Sequence, residues 1–260
     1  MARCSSVAPI NQTWRQSCSH SLTRPVSAKA ARTKHQLISE ANTHPEPQNR
    51  SPIPTPLSTI LLHKPYGYLS QFTPEPTSRW KCLKELVAMG SVYAAGRLDA
   101  DSEGLLLLTA NGRLQQRLTD PRFGHWRHYW VQVEGSPQPQ QLQQLREGLI
   151  LKGQRTLPAK VNHLGTNQTA TIPERDPPIR FRQAIPTHWL EIGLREGRNR
   201  QIRKMTAAVG LPTLRLIRHQ IDLMDNGPPL SLNNLAPGDW RELNQAEARR
   251  VNSLLHPPGN

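Results

Sequence analysis

The chain has 260 residues, with 33 Lys and Arg against 19 Asp and Glu and a formal net charge of +14. So basic a protein is drawn to polyanions, nucleic acid foremost, and no apolar run reaches the about 18 residues of a membrane span. Its three cysteines, Cys4, Cys18 and Cys82, are too scattered for a disulfide framework or a zinc site and fit a reducing compartment.

Residues 1–56 read as a disordered basic extension, rich in Ser, Thr, Pro, Gln and Asn and without a sustained period. No acid precedes Glu40, whereas Arg3, Arg15, Arg24, Lys29, Arg32 and Lys34 do. This composition suits a solvated arm that touches RNA phosphates, with an organelle transit peptide as the alternative. The Pro-rich stretch Ser51 to Pro56 serves as a linker.

The folded part is expected over 57–250, with 251–260 as a tail. The run Thr59 to His63 predicts a strand closed by the turn Lys64-Pro65-Tyr66-Gly67. Apolar residues at three- and four-residue spacing predict a helix over 80–89. Strands are predicted at Val92–Gly96 and at Leu105–Thr109, the latter apolar throughout and so buried on both faces. A turn at Asn111-Gly112 leads into a helix over 113–118. Then come a strand at His128–Glu134, a helix from Gln138 ended by Gly148, and strands at Ala159–Leu164, His188–Leu194 and Pro237–Glu242. A helix over Asn199–Val209 stops at Gly210. Strands and helices mix without βαβ alternation. The expected fold class is therefore α+β, a mixed, largely antiparallel central sheet with flanking helices.

Two segments concentrate charge. Between Arg195 and Arg218 lie Arg198, Arg200, Arg203, Lys204 and Arg215, against a single acid, Glu196. The run sits within apolar patterning, so it belongs to a folded face. The second segment, Ala94 to Thr109, crowds Arg97, Asp99, Asp101, Ser102 and Glu103 between two apolar strands. A short Gly-bounded loop of this kind can hold a carboxylate at a sheet edge. It can equally be a solvated turn whose Asp caps a backbone N–H. Asp99-Ala100-Asp101 also has the spacing of an aspartyl-phosphate phosphotransferase, which requires Mg²⁺. That motif normally follows a long apolar strand directly, and here Gly96-Arg97 intervenes.

From Gly96 to Thr109 the chain resembles the active-site motif of the A-type pseudouridine synthases of the ribosomal small subunit: Gly-Arg-Leu-Asp, a second Asp, then Gly-Leu-Leu-Leu-Leu-Thr. His128-Tyr129-Trp130-Val131 resembles the family's Tyr-x-Val strand, and Glu196 to Met205 resembles its third motif. The resemblance spans Leu57 to Leu243. Many members carry a small S4-type RNA-binding domain ahead of the catalytic one, and residues 1–56 show no such pattern. The run Glu196 to Arg218 resembles the subgroup without that domain that acts on large-subunit (23S) rRNA.

The resemblance implies two lobes around a central cleft and the isomerisation of an rRNA uridine by base flipping. Asp99 would be the catalytic carboxylate, as nucleophile or as base at C2′. Arg203, which follows Gln201-Ile202, would pair with it, because an ion taken out of water needs a partner. Taken alone, Arg203 is equally suited to an RNA phosphate. Tyr129 would stack on the flipped base, although a lone strand Tyr is more often ordinary packing. Ile202 would support the site. Arg97 would hold the vacated position or a phosphate, or else bridge to Asp101 or Glu103. Arg198, Arg200, Lys204, Arg215 and Arg218 would neutralise phosphates along the cleft. The reaction needs neither cofactor nor metal. A monomer in the cytoplasm, with ribosomal RNA as its partner, is expected. A non-enzymatic ribosome-assembly factor would explain the charge but not the Gly96–Thr109 match.

Overall fold

A computed structural model describes residues 58–255, apart from 181 and 183. The basic extension, the Pro-rich linker and the chain beyond Leu255 lie outside the described residues. In chain order the strands and helices are β1 (Thr59–Lys64), β2 (Tyr93–Ala94), β3 (Glu103–Thr109), α1 (Gly112–Thr119), β4 (Arg127–Glu134) and α2 (Pro139–Glu147). There follow β5 (Ile150–Leu151), β6 (Gln154–Arg155), β7 (Lys160–His163), α3 (Thr166–Thr169), β8 (Thr187–Leu194) and α4 (Gln201–Ala208). The chain continues through β9 (Thr213–Ile221), β10 (Leu230–Ser231), β11 (Trp240–Glu242) and α5 (Gln245–Ser253).

One sheet runs in the order β11-β1-β3-β9-β4-β8-β7, with β2 added to β3 and β10 to β9. Its strand pairs are antiparallel except β3 with β9, which gives the mixed, largely antiparallel α+β fold expected from sequence. All seven residues of β3 are buried, and period-two alternation explains how. Leu105 and Leu107 pack with Leu61 and Ile217 on one face, while Leu106 and Leu108 pack with Ile60, Leu62, Leu83 and Val87 on the other. A third cluster joins Val131 and Val133 of β4 to Ile202 and Met205 of α4.

At the parallel pairing, Gly104 sits opposite Arg218 with φ of +110°. A Cβ there would stand 2.3 Å from the Arg218 carbonyl oxygen and 2.6 Å from its nitrogen, backbone atoms that cannot swing aside. Gly104→Ala is therefore expected to destabilise by about 3 kcal/mol or more, combining strain and overlap. Gly112→Ala, with nothing within 4 Å of the added carbon, serves as the control in the same thermal melts.

Several expected elements are shorter, and one central element has no clear signal in the sequence. The helix over 80–89 reduces to a single 3-10 turn at Leu83–Glu85. The backbone of Lys81 is taken instead by Gly67 and Leu69, through Lys81 N–H to Gly67 O at 3.0 Å and Leu69 N–H to Lys81 O at 2.8 Å. Leu83 and Val87 still reach the core, so their spacing reports burial without a full helix. Gly238, at φ of +95°, delays the last strand to Trp240. Helix α4 begins at Gln201 because Arg200 caps it in the left-handed conformation (φ 50°, ψ 38°). Strand β9, central to the sheet, carries buried Arg215, Arg218 and His219, and these charges disguise its alternation. Helix α5 buries Val251, so packing continues past residue 250, the boundary expected from sequence. Among the described residues no helix is long and apolar enough to cross a membrane.

Candidate active site

The charged loop between β2 and β3 is pinned from both sides. Ser70 Oγ donates to Leu98 O at 2.8 Å and accepts from Leu98 N–H at 2.9 Å, and Gly67 N–H donates to Ala100 O at 2.8 Å. Ser102 N–H closes the turn on Asp99 O at 3.0 Å. Leu98 points into the interior while Asp99 stays half-exposed. The motif thus presents one carboxylate outward from a fixed backbone.

The start of α4 brings its arginines to this loop, in a different pairing from the one expected. Arg200, not Arg203, stands at ion-pair distance from Asp99, with Nη1 to Oδ2 at 3.4 Å. Arg200 also holds Asp101 with both of its terminal nitrogens, at 3.0 and 2.8 Å. Its left-handed backbone directs the side chain across the loop. Arg203, nearly a turn further on, is more buried. It donates to Asp101 O at 2.8 Å and Thr213 O at 3.3 Å and lies 3.5 Å from Asp101 Oδ2. It senses Asp99 only through space. Burial works to raise the carboxyl of Asp101, but the hydrogen bonds from Arg200 and the charges of Arg203 and Arg200 hold it below the usual range.

Across the sheet, Gly104 of β3, Arg218 of β9 and Tyr129 of β4 occupy one row of register, so Tyr129 stands two inter-strand spacings, about 10 Å, from the start of β3. It is half-buried and packs on the cluster that contains Ile202, itself 3% exposed. Arg97 is exposed and forms no ion pair with Asp101 or Glu103, which are taken by other arginines. Arg198 is turned toward Glu196 and the Arg155 carbonyl, at 3.0 and 2.7 Å. Lys204 Nζ closes on Asn199 O at 2.5 Å.

Arg215 and Arg218 do not face solvent. Arg215 is 6% exposed and grips Glu103 with two bonds of 3.0 and 2.8 Å. Arg218 is 3% exposed and donates to Leu105 O at 2.7 Å. The expectation that these two neutralise phosphates meets a different placement: the strand that carries them lies in the middle of the sheet, where Arg215 is paired with Glu103 and Arg218 is buried with its Nη2 left without a hydrogen-bond partner.

In the sequence Lys64 is only part of a turn. In the structure it is fully buried, with Nζ donating to Tyr68 O at 2.7 Å and Pro65 O at 3.0 Å. Burial pushes its pKa from 10.5 down to about 7, against the opposing pull of Glu103, Asp101 and Asp99. A lysine after an apolar run gives no sign of such burial. Between pH 7 and 10.5 the unfolded chain binds a proton that the folded one has released, so stability rises with pH across that window. Lys64→Met is expected to remove a slope of up to about 1.4 kcal/mol per pH unit. Urea unfolding of both proteins at several pH values checks this; parallel stability curves would refute it.

The described residues contain no cluster of three or more His, Cys, Asp or Glu able to hold a metal ion. A mixed sheet with an outward carboxylate loop and an arginine-lined helix start suits chemistry on a polyanion. Residues 58–208 match the profile of the RNA pseudouridylate synthase family, and the chain belongs to that family. It is 52% identical over 182 residues to ribosomal large subunit pseudouridine synthase E of Xanthomonas campestris, covering 70% of this chain and 93% of the relative. The Vibrio parahaemolyticus protein of the same name is 50% identical over 184 residues, covering 71% of this chain and 73% of the relative. A crystal structure of a pseudouridylate synthase has the same fold, with a TM-score of 0.59 at 24% identity over 75% of this chain and 74% of that one.

Proposed function

We propose that the protein converts one specific uridine of large-subunit rRNA to pseudouridine, with Asp99 as the catalytic carboxylate. The observation that carries this reading is the loop itself. Asp99 is held outward by bonds on either side of it while Arg200 supplies the opposite charge at 3.4 Å. Pseudouridine formation detaches uracil from C1′, turns it and rejoins it through C5, without redox change. What it requires of the protein is an ionised group beside C1′ and a place for the flipped base.

Tyr129 offers the stacking face, and Ile202 backs it. Exposed Arg97 is available to the vacated position or to a phosphate. Arg200 and Arg203 hold the Asp101 carboxyl below its usual range and orient the loop, and Arg198 and Lys204 add positive potential at the start of α4. Residues 57–250, continued through α5 to Ser253, form the two-lobed catalytic domain, with 1–56 as an RNA-contacting arm. The protein works as a cytoplasmic monomer and needs no cofactor. Relatives that are 52% and 50% identical, named for the large subunit, support the substrate.

The test incubates unmodified rRNA of both ribosomal subunits with the full chain and maps pseudouridine by carbodiimide-blocked primer extension. One new stop on large-subunit RNA is expected. Absence of any stop, on free RNA and on precursor particles alike, would leave the assembly-factor reading.

A further inference from the structure

Beside the acidic loop lies a cavity of about 500 Å³, within the about 300–1,000 Å³ range of small-ligand sites. We propose that this recess, walled by Tyr66, Trp80, Arg79 and Arg175, is a nucleobase subsite that takes an unstacked base of the RNA near the modified uridine. The inference rests on the RNA-substrate reading above and adds a contact to it.

The wall alternates rings and cations. Tyr66 and Trp80 meet edge to face, with centroids 5.7 Å apart. The Arg79 guanidinium lies 4.3 Å from the Trp80 centroid, and that of Arg175 lies 4.3 Å from the Tyr66 centroid. Lys81 approaches the ring of Tyr68 at 5.5 Å. None of these rings belongs to the three core clusters, and Tyr66, Tyr68 and Trp80 are each only half-buried. Large aromatics held at a concave surface by cations, rather than packed inside, provide the stacking faces that unpaired bases use.

Two details favour the base over a phosphate. Glu174 and Asp176 are exposed on the rim, where they repel a phosphate but accept the N–H groups of a base. The guanidiniums of Arg79 and Arg175 already lie over the rings, each 4.3 Å from a centroid, which ties their charge to the aromatic wall. The position is also specific. The turn that carries Tyr66 bonds the loop through Gly67 N–H to Ala100 O at 2.8 Å, and Glu103, the first residue of β3, lines the recess. A strand of RNA delivering its uridine to Asp99 would have a neighbouring nucleotide within reach.

The test uses the full chain and an unmodified large-subunit rRNA transcript. Ultraviolet cross-linking of wild-type protein, followed by peptide mass spectrometry, should place an adduct on Trp80 or Tyr66. In filter binding, Trp80→Ala should weaken the complex about tenfold, the loss expected for one stacked base, with its salt dependence unchanged. Trp80→Phe should restore most of the affinity, and Tyr93→Ala, on a strongly exposed ring of β2, should change nothing. Full affinity in Trp80→Ala, with no adduct on either ring, would overturn the subsite even if pseudouridine forms normally. A tenfold loss in a chain that forms no pseudouridine would instead keep the subsite and remove the catalytic reading.

Discussion

Asp99→Ala is expected to leave rRNA without the new pseudouridine, a fall in rate of at least about 10³-fold, while the folded protein and its grip on RNA survive. The separation follows from geometry. The side chains of Asp99 and Arg200 are each 40% exposed, and an ion pair that open to water contributes about 0–1 kcal/mol. Arg200 does not lose its partner in the variant, because Asp101 still holds it at 3.0 and 2.8 Å. Removing a negative charge from this half-exposed loop should leave affinity for the RNA polyanion unchanged or raise it slightly. Asp99→Asn keeps the shape and removes the charge, so it should be nearly as inactive. Primer extension gives the activity, filter binding the affinity and thermal melts the stability. A variant that kept its product would take the catalytic role away from Asp99. One that lost product only by unfolding would leave Asp99 a structural turn residue.

Arg215→Met is expected to cost about 3–5 kcal/mol of stability, which is about 10 °C or more in Tm for a domain of this size. Glu103 and Arg215 are 4% and 7% exposed in their side chains and joined by two bonds. Removing the guanidinium strands a carboxylate in the interior and frees the Pro173 carbonyl, which Arg215 Nη1 holds at 3.0 Å. Replacing both partners, Glu103→Leu with Arg215→Met, should cost far less than the sum of the two single changes, because no buried charge is then left over. If Arg215→Met instead melted like the wild type and lost RNA affinity with a shallower salt slope, the side chain would be a phosphate contact after all. The double-mutant cycle therefore decides between the expectation from charge alone and the position seen in the sheet.

Much of the framework of the candidate site, its loop and flanking strands, was legible in the chain because its signals are local. The Gly-bounded loop from Gly96, the all-apolar run that follows it and the Tyr129 strand are each defined by neighbours within a few residues. Gly104 is a case where the pattern has a structural cause: the residue after Glu103 must let the Arg218 backbone come within 2.3 Å of where a Cβ would be. Helix α4 was also legible, through its apolar spacing and Gly210. Even the error over 80–89 was partial, since Leu83 and Val87 are buried as their spacing requires.

The amino-acid sequence by itself determined the fold class, the loop that presents Asp99 and the basic character of the surface, because these depend on periodicity, turn chemistry and net charge. Only the tertiary structure decided what each charge does. Arg200 meets both Asp99 and Asp101 while, of these two, Arg203 meets only Asp101, because the left-handed backbone of Arg200 at the start of α4 turns its side chain across the loop. Arg215 and Arg218 are interior because β9 lies between β3 and β4, a neighbour relation formed across more than a hundred residues of chain. Lys64 carries a proton affinity near pH 7 for the same reason. A side chain's type states which charge it can hold, but the solvent and partners that set its behaviour are supplied by strands far away in sequence.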